Sequence, residues 1–190
     1  YSRWLQPLWV CNMSLKLIDQ TTISSAVDSV NIDNVFSSTY DVYKIVFQEL
    51  RTASTSSPTY GNFRFIDNSG SVNSSTVYDY ALQSLKTDSN DGEVRSTGNT
   101  SWGEFFSTID GSPQGSAGFA YIYNPYSTST YKYCTWQTVH EQSNSVTRSY
   151  RAAGVYRETG SQRGFQIVRG LTPQITGGII TTYGVQAWVH

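Results

Sequence analysis

Few side chains in this chain are suited to acid–base or covalent chemistry. His140 is the one interior histidine, and His190 is terminal. Histidine titrates near neutral pH and is the usual general base, yet nothing nearby completes a site. There is no G-x-S-x-G elbow and no H-E-x-x-H pair, and Gly115-Ser116-Ala117-Gly118 has the wrong spacing for a nucleophile elbow. His140 therefore reads as a structural or surface residue near a strand end. A two-carboxylate glycosidase pair is set in space and not in sequence, and no Asp or Glu pair stands out. No catalytic residue and no cofactor is assigned.

Binding chemistry is better represented. Tyr60, Trp102 and Tyr126 fall in or beside polar loops, where aromatic rings can stack on sugars; burial in a core or an interface is the competing fate of such rings. The run Asp88-Ser89-Asn90-Asp91-Gly92-Glu93 invites a calcium reading. Its glycine falls at the fifth position of the loop instead of the sixth, and Asn99 occupies the twelfth, so a solvated turn is the better reading and no metal is assigned. Cys11 and Cys134 form neither a metal spacing nor a disulfide framework, and Cys134 reads as a small buried hydrophobe.

Charge narrows the partners. The net charge of −1 excludes a molecule that binds nucleic acid by its overall field. The distribution is uneven. Residues 13–110 carry six Lys/Arg against twelve Asp/Glu, whereas residues 142–190 carry Arg148, Arg151, Arg157, Arg163 and Arg169 against Glu158 alone. Subunit–subunit attraction, an anionic surface ligand and plain solvation all fit that asymmetry. No run approaches the ~20 apolar residues of a membrane-spanning helix, so no membrane insertion is expected.

The elements that would position these residues are strands. Hydrophobic residues make up 38% of the chain and charged residues 14%, with fourteen tyrosines and abundant serine and threonine. That is the balance of an all-β protein with polar turns. The central stretch is Gly115–Gln142. Phe119, Tyr121 and Tyr123 alternate with Ala120 and Ile122; Tyr131, Tyr133 and Val139 alternate with Cys134, Trp136 and His140. The intervening Asn124-Pro125 stops a strand. Val42–Leu50 puts Tyr43, Ile45 and Phe47 on one face and Val42, Val46 and Leu50 on the other. In Val77–Leu85, Tyr78, Tyr80 and Leu82 oppose Asp79, Ala81 and Gln83. Residues 86–101 read as a long polar loop, and 102–109 as apolar but irregular. At the end of the chain Ile179, Thr181, Tyr183, Val185, Ala187 and Val189 share one face. About eight to ten short strands, without helical periodicity, predict an antiparallel β-sandwich of jelly-roll-like kind with Phe47, Trp136 and Tyr183 in the core. Aromatics on both faces of the central strands predict that another subunit covers the second face.

Residues 1–12 stand apart from this domain, which spans 13–190. Trp4, Leu8 and Trp9 make a short apolar patch that reads as an upstream remnant or as an arm docking on a neighbour. Met13 stands where the regular pattern begins.

The run from Met13 through Leu50, with its TISSAVDSV and YDVYKIVF segments, resembles the opening of small β-sandwich modules in virion proteins of tailed phages, especially those of cyanobacteria and marine bacteria. Gly118–Pro125, Lys132–Gln137 and Gly178–Val185 match later strands of those modules. The resemblance implies a jelly-roll-like, non-enzymatic structural module on the virion surface, in a tail fibre or as a capsid decoration. It also implies an oligomer among other virion proteins, and the two-faced central strands read as those of a homotrimer. A carbohydrate-binding, host-attachment module that recognises a surface glycan is the alternative, and a sugar-active enzyme a more distant one. The shared motifs are fold-forming strands and turns, so no functional residue carries over.

Overall fold

The computed structural model describes residues 14–53, 59–88, 92–108, 115–142, 146–169 and 174–186. They form twelve strands: β1 (Leu15–Ile23), β2 (Ser29–Ile32), β3 (Val42–Thr52), β4 (Thr59–Asp67), β5 (Tyr78–Lys86), β6 (Gly92–Asn99), β7 (Trp102–Thr108), β8 (Ser116–Tyr123), β9 (Lys132–Gln142), β10 (Val146–Tyr156), β11 (Gln162–Arg169) and β12 (Ile175–Val185). All pairings are antiparallel. The larger sheet runs β1-β12-β3-β8-β9-β10-β5-β6 and the smaller β2-β11-β4-β7.

The order has a simple origin. β1 pairs with β12, β2 with β11, β3 with β8 and β4 with β7. This nesting is one long antiparallel ribbon rolled on itself, the jelly-roll arrangement. Rolling then closes β12 on β3 and β11 on β4. Two hairpins, β5–β6 and β9–β10, are inserted into the ribbon and extend only the larger sheet. The all-β antiparallel sandwich expected from the sequence is the fold that forms.

The core between the sheets is aromatic. Phe63 stacks on Phe165 and Trp102 at 5.2 Å between ring centroids, Trp102 lies 6.2 Å from Trp136, and Phe105 lies 5.4 Å from Phe47. All of these rings are fully or almost fully enclosed. Enclosed rings of this size dominate the burial energy of a domain.

Four details depart from the sequence reading. Residues 86–101 contain β6, an edge strand paired only with β5, whose residues are exposed or half-buried and carry Val94 as the one large apolar side chain, so no apolar alternation shows. Residues 102–109 contain β7, whose pattern looks irregular because Glu104 adopts φ 52° and shifts the register against β4, so that Phe105 and Phe106 are both buried. A similar break at Glu49, also at φ 52°, turns Leu50 onto the core side of β3 with Phe47. Finally, β12 faces the other way. Ile180, Thr182 and Gly184 pair with the core residues Phe47, Ile45 and Tyr43, which leaves Thr181, Tyr183 and Val185 on the outer face. Gly184 makes this possible, because a Cβ there would lie 2.5 Å from the Tyr40 ring. Tyr183 is therefore half-buried and lies outside the core.

One buried charge ties two turns together. The Lys132 ammonium donates to the carbonyls of Ser127 at 2.6 Å, Thr130 at 2.7 Å and Thr159 at 3.0 Å. The side chain is fully enclosed, and burial pushes its pKa down to about 8. Three carbonyls in place of water satisfy all of its donors.

In denaturant titrations Phe47→Ala and Trp136→Ala each lose about 3–5 kcal/mol, whereas Tyr183→Ala loses less than about 1 kcal/mol. Lys132→Met loses about 2 kcal/mol, because the carbonyls lose their shared donor. A Tyr183→Ala loss as large as that of Phe47→Ala would overturn the outward assignment of β12.

Candidate functional site on the outer face of the larger sheet

The outer face of the larger sheet is built from rows of side chains set by strand register. One row reads Leu17, Tyr183, Lys44, Tyr121, Thr135, Ala153, Ala81, Arg95. Its neighbour reads Gln20, Thr181, Val46, Phe119, Gln137, Arg151, Gln83, Glu93 through the same pairings. The face divides in the middle. On β1, β12, β3 and β8 it is aliphatic and aromatic. Leu15 and Leu17 are 47% and 54% exposed, and Lys44 lies over the rings of Phe119 and Tyr121 at 5.4 and 5.7 Å. On β9, β10, β5 and β6 these two rows turn polar, while Tyr133, Val139 and Leu85 stand 50%, 44% and 46% exposed at either end of the same face.

The polar half is concave. Thr135, Ala153 and Ala81 are short, so the row through them sinks between taller neighbours. The result is a cleft of about 670 Å³ lined by Phe119, Gln137, Arg151, Gln83, Glu93 and Arg95. Glu93 pairs with Arg95 at 2.5 Å. Arg151 lies directly between Gln137 and Gln83 in register.

The basic C-terminal segment is mostly consumed inside the fold. Arg157 pairs with Asp79 at 2.5 Å, Arg163 grips both oxygens of Asp33 at 2.8 and 2.5 Å, and Arg169 lies 3.4 Å from Asp28. The Arg163 hydrogen bond holds the Asp33 carboxyl below its ordinary range; the Gly98 amide and then Arg157 do the same for Asp79. Arg148 donates to the Tyr150 hydroxyl at 3.3 Å and also hydrogen-bonds Tyr60. Among the described residues Arg151 alone of the five has no partner.

A second polar region lies between the sheets. A pocket of about 240 Å³ is lined by Tyr60, Asn62, Tyr80, Asn99 and Glu104, among others. Burial raises the Glu104 pKa, opposed by a hydrogen bond from Tyr150 and by the charge of Arg148. The network is internally compensated. Next to it, His140 is 3% exposed with neither ring nitrogen hydrogen-bonded, its ring 5.7 Å from that of Tyr150. Burial, then the charge of Arg148, pushes its pKa down to about 4. The strand-end histidine is thus a buried neutral group.

The sequence-predicted residues are not brought together. Trp102 is 0% exposed. It cannot stack on a sugar, because its ring is wedged between the sheets and its indole N–H donates to the carbonyls of Asp79 at 3.2 Å and Val155 at 3.3 Å. Tyr60 packs against the core and holds Arg148. Tyr126 lines a small hollow of about 140 Å³ with Tyr40 and Asp41. Trp4, Leu8 and Trp9, and residues 89–91 of the acidic loop, lie outside the described residues. The cleft residues come from five strands spread along the sequence, so no local motif marked them. The one available signal was alternation: Gln137, Arg151 and Gln83 each sit opposite a buried neighbour. No protein-family model, characterised protein or solved structure matches the chain.

The His140 shift sets a pH window. The unfolded chain takes up a proton near pH 6.5 that the fold refuses until about pH 4. The contribution is complete above pH 6.5 and falls by about 3 kcal/mol as pH drops through the folded value. Unfolding free energies measured from pH 7.5 to 4 decline accordingly, and His140→Phe flattens that part of the profile. An unchanged slope in the variant would contradict the assignment.

Proposed function

We propose that this chain is a non-enzymatic jelly-roll module of a tailed-phage particle, displayed on the capsid or tail surface. It self-associates as a homotrimer through the apolar half of the larger sheet's outer face. One observation carries the reading: Leu15, Leu17, Tyr183, Val42, Val46 and Tyr121 lie in adjoining rows across β1, β12, β3 and β8, where Lys44 lays its ammonium over the Phe119 and Tyr121 rings. Scattered apolar residues on a surface need no explanation, but a contiguous patch marks an interaction site. The resemblance of the strand motifs to phage virion modules supplies the setting. The chain-wide charge asymmetry is not needed for assembly, because three of the five C-terminal arginines form ion pairs within the subunit.

The second reading, a carbohydrate-binding host-attachment module, is favoured by the polar cleft on the other half of the same face. A sugar-active enzyme is less well supported. The cleft and the inter-sheet pocket each hold one described carboxylate, Glu93 and Glu104, and acid–base cleavage of a glycosidic bond uses two.

Sedimentation equilibrium on the full chain gives three times the chain mass at micromolar concentration. Leu17→Glu, at an exposed position that costs the fold little, raises the dissociation constant at least tenfold. A monomeric parent at high micromolar concentration would refute the assembly. A version starting at Met13 that associates as well as the full chain would remove residues 1–12 from the interface.

A further inference from the structure

We infer that the cleft on β8, β9, β10, β5 and β6 binds an acidic saccharide, with the Arg151 guanidinium on a sugar carboxylate. The inference rests on the carbohydrate-binding reading and names its ligand class.

The first argument is electrostatic. Arg95 and Glu93 neutralise each other, so Arg151 leaves the cleft with one uncompensated positive charge. Its sister arginines are all engaged within the fold. A planar guanidinium matches a carboxylate with two parallel hydrogen bonds. A single free charge also suits one carboxylate per site better than a phosphate backbone, whose binding rests on several cations at once.

The second argument is the company Arg151 keeps. Gln137 and Gln83 flank it directly in register, and each carboxamide offers donors and an acceptor on one group. That suits hydroxyls, which both donate and accept. Phe119, whose ring carries the Lys44 ammonium 5.4 Å from its centroid, stands next to Gln137 and lines that end of the cleft with apolar surface for the C–H side of a sugar. Ala81, Ala153 and Thr135 keep the floor low enough for a ring to settle against the sheet. With strands about 4.8 Å apart, the row from Phe119 to Glu93 is roughly 19 Å long, the length of a short oligosaccharide and not of a single small anion.

The test is an amide-resolved NMR titration of the full chain with the α-1,4-linked trimer of galacturonic acid, and with maltotriose as a neutral counterpart. Saturable shifts confined to β8, β9, β10, β5 and β6 are expected with the acidic trimer, with at least tenfold weaker binding of the neutral one. Arg151→Gln keeps the spectrum dispersed and weakens the acidic trimer at least tenfold, while Gln137→Ala weakens both sugars. Equal binding of both trimers, unaffected by Arg151→Gln, would overturn the acidic assignment and leave the carbohydrate reading standing. No shift in the cleft with either trimer at 10 mM would overturn both.

Discussion

The placement of Trp102 is the constraint on which the rest of this structure depends. Its ring stacks on Phe63 of the smaller sheet and lies against Trp136 of the larger, so it bridges the two layers. Its indole N–H is shared between the carbonyls of Asp79 on β5 and Val155 on β10. Those strands belong to the inserted hairpins, which extend the larger sheet beyond the basic eight-strand roll. The inserted hairpins also meet the smaller sheet through Tyr78 and Tyr156 against Phe65 and through Trp136 against Phe105, around the edge that Trp102 fills. Gly154 records how tight the fit is, since a Cβ there would lie 2.6 Å from the indole nitrogen. The polar cleft is formed on the far side of those strands, so its floor is fixed by an aromatic contact made on the opposite face.

Much of the fold was legible because strand burial writes itself into alternation. Ala120, Ile122, Cys134 and Trp136 lie inward and Phe119, Tyr121, Tyr123 and Tyr133 outward, as their spacing indicates. The misreadings have physical causes. Alternation names two faces but not which is inner, and on β12 the more apolar set lies outward because the inner Ile180, Thr182 and Gly184 meet the large Phe47, Ile45 and Tyr43, with Gly184 also against Tyr40. At Glu49 and Glu104 a left-handed residue breaks the period, and no side-chain pattern announces it. β6 is an edge strand with little to bury, so its sequence looks like a loop. The cleft was illegible for another reason: cross-strand neighbours such as Gln83, Gln137 and Arg151 meet only once the topology is known.

The charge distribution shows how a sequence-level feature can dissolve on folding. The basic C-terminal segment and the acidic N-terminal half suggested attraction between molecules. In the fold β11 pairs with β2 and β4, and this brings Arg163 and Arg169 to Asp33 and Asp28, while Arg157 reaches Asp79. Three pairs made within one subunit leave little long-range field at physiological salt, where screening acts over about 8 Å. What survives is local: one guanidinium in a shallow cleft, flanked by amides.

That surviving charge also bears on how the two proposed roles fit on one sheet. A single guanidinium with two amides and one ring makes a weak site, because each exposed polar contact gives up water to form. The proposed trimer would contact through the apolar half of the sheet and keep the polar half clear, so each assembly would carry three clefts. When sites are linked at matching spacing, avidity can exceed single-site affinity by about 10²–10⁴. Self-association through β1, β12 and β3 would then be what makes the weak cleft on β9, β10 and β5 useful.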